Sequence, residues 1–489
     1  MGIRMKYGFL ALIAAFWCVC LEAQPIVTDT SARPFVELDT SRLIEVSATE
    51  AQPGNESSPF EIGEIFIEGN KRTQKHIILR ELFFKTGDTV SLSRLVEAFE
   101  TSRQQLMNTK LFNEVVISLR NFYGHIVNVN IEVKERWYIF PIPYLKPIDR
   151  NLSEWAKQGY SADRLNYGLK FTHYNFSGRN DKLRLWLVTG YTKQVQFQYD
   201  QPYADKSLKH GYKVGINYSH LKEVNYSTTH NQQVFSDSFS SKKLNAFVEY
   251  DYRPGIRTFH AVRLGYTQQQ VDPKVIELNP KYFNNSSNVL RYPEISYSLA
   301  HYNVDYIPYP LSGWMGEVGL VRRGLNEKTG MWQLNGKLNK NWQLAKTTFF
   351  AVNVNGTLRV PFDQPYVNSQ MFGYNDFYLR GLEKYVIDGV AGLLVRNTMR
   401  QQILKFSIPT FINSGTHSRI PFSFYAKTYA DVGYAHNKNF RGNSLVNKML
   451  YTGGIGIDMV TFYDVVIRVD YSFNQLGQNG LFLHIKNDF

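Results

Sequence analysis

Cysteine is nearly absent from this chain of 489 residues, because its only two cysteines, Cys18 and Cys20, lie in one apolar stretch near the amino terminus. If that stretch is removed on export, the mature chain has no disulfide, no thiolate zinc site and no cysteine nucleophile. Long apolar runs are missing as well. The mean hydropathy of −0.32 excludes a bundle of transmembrane helices, each of which needs roughly 20 apolar residues.

Catalytic motifs are also missing. The sequence has no G-x-S-x-G elbow and no H-E-x-x-H pair, and Gly336-Lys337 lacks the glycine spacing of a phosphate-binding loop. The GGIG run over residues 453–456 lies in an alternating strand, which favours packing over phosphate binding. The eleven histidines are scattered without metal-ligand spacing. The sequence therefore predicts no enzyme activity, no cofactor and no metal.

The first 23 residues have the pattern of a cleavable secretory signal peptide. Two basic residues precede an apolar core over residues 9–20, and Ala23 supplies the small residue before a cut ahead of Gln24. A membrane anchor would need a longer apolar span. The following residues, 24–59, are rich in Ser, Thr, Pro and Glu, which predicts a flexible linker in an exported protein.

Aromatic residues and positive charge are plentiful. Phe, Tyr and Trp make up 15% of the chain, and there are 34 glycines. This composition at low mean hydropathy is typical of β-barrel membrane proteins, in which polar and apolar residues alternate. The net charge is +13, but Lys and Arg are scattered rather than grouped. We therefore expect the charge to favour an anionic membrane surface over nucleic acid.

Residues 60–137 have the pattern of one small α+β domain. A short alternating strand opens it, and Thr73 can cap a first helix that ends near Gly87. A second helix begins at about Ser91, with apolar residues on one face. Two alternating strands then form a hairpin around Gly124. The predicted order is strand, helix, helix, strand, strand.

From residue 138 to residue 489, polar and apolar residues alternate in runs of 9–11 residues, such as 352–360 and 465–474. Strands of a soluble β-sandwich average about 5–6 residues, and the charges of the polar row would be unsatisfied in its core. A membrane barrel accommodates both features. Eleven candidate strands precede Pro361 and five follow, which predicts a 16-stranded antiparallel transmembrane β-barrel after the α+β domain. A barrel of fourteen strands stays open as an alternative.

Three motifs carry a family resemblance. IEGNKRT follows the first strand of the α+β domain, MFGYNDFYLRGLEKYVIDG contains Arg380 and Gly381, and TYADVGYAH contains Asp431 on the polar face of its strand. They resemble a POTRA domain and the barrel of the BamA/TamA-like superfamily of outer-membrane assembly and polypeptide-transport proteins. The resemblance implies that the sixth loop enters the lumen, where Arg380 and Gly381 form a lock with Asp431. Leu382 departs from the aromatic residue of that pattern.

The resemblance also implies a function and partners. The protein is expected to insert outer-membrane proteins or to carry polypeptides across that membrane, through a seam between the first and last strands. Expected partners are outer-membrane lipid, an unfolded polypeptide and accessory subunits at the POTRA domain, which could equally be a spacer. The final residue, Phe489, is similar to the terminal signal of outer-membrane strands. A secretion pore for one exported partner and a passive porin or structural barrel stay open as alternatives.

Overall fold

The computed structural model describes residues 59–147, 162, 165–236, 240–325, 330–374, 377–409, 419–438 and 443–486. The predicted signal peptide, its cut between Ala23 and Gln24, and the predicted linker up to residue 58 lie outside these residues. So does the predicted terminal signal at Phe489. These four assignments stay predictions.

The first folded region is an α+β domain. Its elements are β1 (Phe60–Glu68), α1 (Lys75–Arg80), β2 (Thr89–Val90), α2 (Leu92–Asn108), β3 (Phe112–Tyr123) and β4 (Ile126–Glu135). The sheet order is β2-β1-β4-β3, with β1 parallel to β4. As the sequence predicted, β3 and β4 form an antiparallel hairpin, which turns at Gly124 with φ +62°.

The core of this domain follows the sequence pattern. Leu95, Phe99 and Leu106 lie on one face of α2 and are buried. The alternating row of β4 is buried against them and consists of Val127, Val129, Ile131 and Val133. The two periodicities therefore form one apolar layer between helices and sheet.

The predicted cap and length of the first helix are wrong. The residue before α1 is Gln74, whose side chain makes no capping hydrogen bond, and the helix ends at Arg80 rather than near Gly87. The chain leaves the helix there because Leu82 and Phe84, two residues apart, both enter the core. The Thr73 hydroxyl instead lies 3.2 Å from the Tyr138 hydroxyl, in a contact with the next region.

The second region is a sheet of sixteen antiparallel strands within the residues described. The further elements, in chain order, are β5 (Ile139–Pro147), β6 (Leu165–Tyr174), β7 (Lys182–Gly190), β8 (Thr192–Gln201), β9 (His210–Leu221), β10 (Val224–Thr229), β11 (Gln232–Ser236), β12 (Ser241–Tyr252), β13 (Thr258–Val271), α3 (Pro273–Leu278), β14 (Val289–Val304), β15 (Gly313–Arg323), β16 (Met331–Ala345), β17 (Thr348–Val360), β18 (Gln370–Phe372), β19 (Ile387–Asp388), β20 (Ala391–Pro409), β21 (Arg419–His436), β22 (Met449–Thr461), β23 (Val466–Asn474) and β24 (Asn479–Lys486). The hairpins β10–β11 and β18–β19 stand apart from the large sheet.

The prediction of sixteen strands is confirmed. Eleven strands of the large sheet end at or before Val360 and five follow, as predicted, and each pairs with its neighbours in chain order. Short turns, such as residues 346–347 and 462–465, join strands at one end, which we call the turn rim. Longer connections, including residues 361–390, join them at the other end, the loop rim. The chain enters β5 at the turn rim.

The two faces of the sheet differ as the alternation predicted. On β16, Leu334 and Leu338 point outward and are each 47% exposed, whereas Asn339 and Asn341 point to the interior. An apolar outer row and a polar inner row suit a barrel with lipid outside and water-accessible polar groups within. No helix among the described residues is long and apolar enough to cross a membrane.

Candidate functional site

Residues 361–374 and 377–390, here called the Arg380 loop, fold back from the loop rim against the inner wall. Leu379 and Leu382 anchor the loop in an apolar cluster and are 1% and 2% exposed. Gly381 between them has φ +89°, and a Cβ added to it would lie 2.9 Å from the Ser472 Cβ. The position therefore requires glycine, both for its backbone conformation and for its close approach to β23.

The structure brings Arg380 and Asp431 together. The Arg380 Nε donates to Asp431 Oδ2 at 2.9 Å, its Nη2 donates to Oδ1 at 2.5 Å, and its backbone N–H donates to Oδ2 at 3.2 Å. The Asp431 side chain is fully buried, and that of Arg380 is 11% exposed. The contact is thus bidentate, which fixes orientation as well as charge.

A second cation shares the carboxylate. The Arg396 Nε lies 3.8 Å from Asp431 Oδ2 on the neighbouring strand. The Arg380 guanidinium also stacks on the Tyr429 ring, 3.9 Å from its centroid, and Arg396 lies 4.9 Å from the centroid of Tyr378. Asp431 is therefore the common counter-ion of two guanidinium groups held by aromatic rings.

Glycines of β22 open a gap in the inner wall that the sequence analysis treated only as packing. A Cβ added to Gly454 would lie 2.5 Å from the Tyr429 hydroxyl, because Tyr429 crosses β22 at this point. Its hydroxyl forms a 2.6 Å hydrogen bond with Ser472 on β23. Because Gly454 has no side chain, Tyr429 of β21 can pass over β22 and contact β23.

A buried charge cluster uses the same gap. Lys427 on β21 donates to Asp458 on β22 at 2.5 Å, and its Nζ lies 2.6 Å from Asp470 on β23, in a charge contact without hydrogen-bond geometry. All three side chains are at most 2% exposed. A Cβ added to Gly456 would lie 2.3 Å from the Asp470 carboxylate. In the sequence, the signal for this gap is the pair Gly454 and Gly456, at alternate positions on the inner row of β22.

The large sheet ends at β5 and β24. Its strand order runs from β24 to β5, and in the part of the chain that the structure describes no backbone ladder joins these two strands. The Arg380 loop instead contacts β24 from the lumen. Glu383 Oε1 lies 3.1 Å from His484 Nε2, and the rings of Tyr378 and His484 stack with centroids 5.5 Å apart. One loop thus contacts both Asp431 and the last strand.

The α+β domain is bound to the turn rim by a buried network. The Glu81 carboxylate, fully buried, accepts from both Arg253 Nη atoms at 2.6 and 2.7 Å, from Tyr203 at 2.9 Å and from Gln105 at 2.8 Å. Burial alone would raise the pKa of Glu81, but the Arg253 charge and its hydrogen bonds, with Arg80, hold that pKa below its ordinary value. The carboxylate is therefore charged at neutral pH.

Further contacts spread the attachment along the rim. Asn108, at the end of α2, accepts from the Ile307 N–H at 2.9 Å in the β14–β15 turn. Arg136 donates to both oxygens of Asp464, at 2.8 and 3.2 Å, in the β22–β23 turn. Burial alone would raise the pKa of Asp464, but the Arg136 charge holds it below its ordinary value. Because these partners are hundreds of residues apart, no local pattern indicated them.

Loops also contact one another at the loop rim. The Thr228 hydroxyl, on β10, forms 2.8 Å hydrogen bonds with the hydroxyls of Tyr366 and Tyr374. Asp388 accepts from Tyr374 and from Thr228. Burial raises the pKa of Asp388 to about 6, and these hydrogen bonds offset only part of the rise. Residues from two separate loops therefore share one buried acid.

No group of three or more His, Asp or Glu side chains in the described ranges is arranged to hold a metal ion. The arrangement is one of interlocked polar networks on a barrel wall. These networks can hold the Arg380 loop, the strands β23 and β24, and the α+β domain in position.

Comparisons with known proteins agree with this architecture. Residues 60–136 match the POTRA family model, described as surface antigen variable number repeat, and residues 175–461 match the Omp85 superfamily domain. No relative is found among curated protein sequences.

Comparison with solved structures gives matches at low sequence identity. CdiB from Escherichia coli is 11% identical with a TM-score of 0.51, over 87% of this chain and 75% of that chain. BamA from Haemophilus ducreyi lacking POTRA domains 1–3 is 15% identical with a TM-score of 0.49, over 87% and 84%. CdiB from Acinetobacter baumannii is 12% identical with a TM-score of 0.47, over 87% and 73%.

The superfamily model covers more than half of the chain, and the POTRA model covers the domain before it. Omp85 proteins are non-enzymatic assembly or transport proteins of the outer membrane, with POTRA domains in the periplasm. The turn rim is therefore periplasmic and the loop rim extracellular. The chain belongs to the Omp85 superfamily, and its function is outer-membrane protein insertion or polypeptide translocation.

Proposed function

We propose that this protein inserts outer-membrane β-barrel proteins by strand addition at the seam between β5 and β24. The observation that carries the proposal is the end of the strand order: in the described residues, β5 pairs only with β6, and β24 only with β23. Unpaired edges in a membrane expose backbone groups that an extended chain can satisfy. A client strand is the natural partner of such an edge.

The inner wall supports insertion at the seam over passage through a steady pore. Side chains that would line an open aqueous channel are instead buried, with Asp431 fully buried and Lys427, Asp458 and Asp470 at most 2% exposed. The Arg380 loop occupies the lumen at Asp431, and Tyr309 of the β14–β15 turn covers Asp458. A passive porin would keep these charges in water.

We propose that Arg380, Gly381 and Asp431 form the lock that holds the loop in the lumen. The bidentate pair supplies the attraction, and Gly381 allows the loop to approach β23 closely. Because Glu383 of the same loop contacts His484 on β24, the lock also steadies the last strand. Strand addition is driven by backbone pairing and lipid burial of the client. It requires no catalytic residue, nucleotide, metal or cofactor.

We propose that the partners are an unfolded outer-membrane polypeptide, the surrounding lipid, and periplasmic accessory subunits at the POTRA domain. The strand β3 forms one edge of the POTRA sheet and spans Phe112–Tyr123. An extended segment of a subunit or client can pair with that edge. Glu81, directly after α1, binds the barrel, whereas β3 pairs only with β4 among the described residues.

A cross-linking experiment tests the seam. Because both cysteines lie in the predicted signal peptide, introduced cysteines are the only thiols of the processed chain. Leu145→Cys is combined in turn with a cysteine at each outward position of β24, and the control pair is Leu169→Cys with Leu187→Cys, which face each other on β6 and β7. Closing the seam should stop insertion of an unfolded barrel into vesicles, whereas the control should insert normally.

Depletion in cells distinguishes the alternatives. Loss of many outer-membrane barrels supports an insertase, and loss of one exported protein indicates a dedicated secretion pore. Large, steady single-channel currents from the purified protein would indicate a porin. Normal insertion by the cross-linked seam would contradict the proposal.

A further inference from the structure

Strands β8, β9 and β12 bring basic side chains together on the barrel wall next to the loop rim. The register pairs His220 on β9 with Lys193 on β8 and with Lys242 on β12. Residues directly opposite each other on adjacent strands project to the same face, with Cβ atoms about 5 Å apart. A fourth basic residue, Lys222, directly follows β9. These four residues are here called the basic cluster.

The cluster lies on the outer face of the barrel. Val195 on β8, Tyr218 on β9 and Val248 on β12 point outward and are 49%, 39% and 54% exposed. Each is separated from the cluster residue of its own strand by an even number of positions. Because side chains two residues apart share one face of a strand, the cluster points outward with them.

The cluster also lies at the depth of the lipid headgroups. On β9, His210 at the turn rim and His220 in the cluster enclose an outward row of apolar and tyrosine residues. At about 3.3 Å per residue they are roughly 33 Å apart along the strand, which is about 25 Å of membrane depth at a strand tilt of about 40°. The apolar band of an outer-membrane barrel is about 25 Å tall, so His220 lies where the hydrocarbon ends.

The barrel does not balance the charge of the cluster. Within the part of the chain that the structure describes, no ion pair joins the three lysines of the cluster to a carboxylate. Glu223, next to Lys222, instead accepts a 2.9 Å hydrogen bond from the Tyr191 hydroxyl. The lysines are exposed, and they are close enough to His220 for their charges to act on it. Like charges opposite each other on neighbouring strands repel, so an anion from outside the barrel would stabilise the cluster.

The wider outer surface carries the same sign of charge. The outward positions of β8, β9 and β12–β15, all within the described ranges, contain no Asp or Glu. The acids of these strands, such as Glu249, are on the inner row. Arg291 and Arg322 extend the basic side of the loop rim, because they lie on the outward rows of β14 and β15. The outer wall near the loop rim is therefore complementary to anionic headgroups.

The turn rim of the same six strands has a different chemistry. Its outward positions, as far as the structure describes them, contain no Lys or Arg. The His210 ring stacks on Tyr250 and Tyr252, with centroids 5.9 and 5.3 Å apart, and the His301 ring stacks on Trp314 at 4.8 Å. Aromatic girdles are usual at both interfaces of a barrel. The basic residues are therefore a property of the extracellular side.

An apolar groove follows the cluster down the outer face. Ala246, on the outward row of β12, lies between Ile216 of β9 and Tyr266 of β13. Because its side chain is much smaller than those of its neighbours, it leaves a groove of about 470 Å³, which Phe197 and Leu264 also line. A lipid that placed its headgroup on the cluster could lay an acyl chain in this groove.

We propose that the basic cluster and the groove below it bind a phosphorylated glycolipid of the outer leaflet of the outer membrane. Lys193 and Lys242 are two strand spacings apart, about 10 Å, so they can hold a headgroup that bears more than one phosphate from both sides. Lysine binds phosphate as a point charge, and its apolar stem can lie along the hydrocarbon boundary. The groove favours a lipid over soluble phosphate. The site does not depend on insertion at the seam and requires only that the loop rim faces outward from the cell.

The test measures lipid binding by the purified full-length protein in detergent micelles, with bisphosphorylated lipid A as the probe. The cluster variant combines Lys193→Gln, Lys222→Gln and Lys242→Gln, and native mass spectrometry measures the bound lipid. Each lysine near an anionic surface is worth a factor of about five in affinity, so the variant should bind lipid A at least roughly tenfold more weakly than the wild type.

A matched control changes the same charge at the turn rim. It combines Lys206→Gln, Lys209→Gln and Lys346→Gln, which lie in two turns and are exposed like the lysines of the cluster. The control should bind lipid A as the wild type does. Heat-modifiable mobility on gels checks that both variants are folded.

Lipid A without its phosphates should bind the wild type no better than bisphosphorylated lipid A binds the cluster variant. Equal affinity of the wild type and the cluster variant for bisphosphorylated lipid A would overturn the proposal, as would an equal loss in the control. Phosphatidylglycerol that bound as tightly and depended equally on the three lysines would also overturn it, because the site would then accept any anionic lipid.

Discussion

Replacing Asp431 should destabilise the barrel more than replacing Arg380, although the two residues form one ion pair. Asp431→Asn removes the counter-ion of both Arg380 and Arg396, so two guanidinium groups face each other in a buried site. Arg380→Gln removes one cation but leaves Asp431 with Arg396 at 3.8 Å. The two substitutions should therefore lower the free energy of unfolding by different amounts. An isolated ion pair would instead predict similar losses for either partner.

The magnitude follows from the burial. Breaking a buried pair by removing one partner costs about 3–5 kcal/mol, because the other charge stays buried without compensation. Asp431 is fully buried and accepts three hydrogen bonds from Arg380, so we expect Asp431→Asn to cost an amount in that range. The remaining cation should limit the cost of Arg380→Gln to about 1–3 kcal/mol.

The assay is urea unfolding of the full-length protein in detergent micelles, followed by tryptophan fluorescence and by heat-modifiable mobility on gels. The control is Glu317→Gln, which removes a partner of Lys337 at 3.8 Å in a pair that is 68% and 44% exposed. Such an exposed pair contributes about 0–1 kcal/mol. The reasoning is refuted if Arg380→Gln costs as much as Asp431→Asn, or if both cost no more than the control.

Three further predictions concern other parts of the molecule. Glu81→Gln should release the POTRA domain from Arg253 and speed hydrogen exchange in α1, whereas the control Glu114→Gln, in an exposed ion pair, should not. Because the pKa of Glu81 is lowered in the fold, docking of the wild-type domain should be complete above about pH 4.5 and should weaken as the pH falls below that value. The pKa of Asp388 is raised to about 6, so the fold favours its protonated form. The free energy of unfolding should therefore fall by up to about 3 kcal/mol as the pH rises from about 4 to 6. Asp388→Asn should abolish this pH dependence in urea titrations. Gly456→Ala should lower the unfolding midpoint, because its Cβ would stand 2.3 Å from a buried carboxylate oxygen; an unchanged midpoint would contradict the close packing.

The sequence alone predicted the barrel and favoured sixteen strands, the number that the structure has. Two-residue alternation is a local property, and its phase places Asp431 on the inner face whatever the neighbouring strands are. The same holds for the buried row of β4 and the apolar face of α2. The helix end at Arg80 was missed because tertiary contacts of Glu81, Leu82 and Phe84 override local helix signals there.

Only the tertiary structure decided which distant side chains meet. Glu81 and Arg253 are 172 residues apart, and Glu383 and His484 are 101 apart, so no spacing in the chain relates them. Local periodicity sets the face of each residue, whereas partners and edges depend on how the sheet curls and where its ends come to lie.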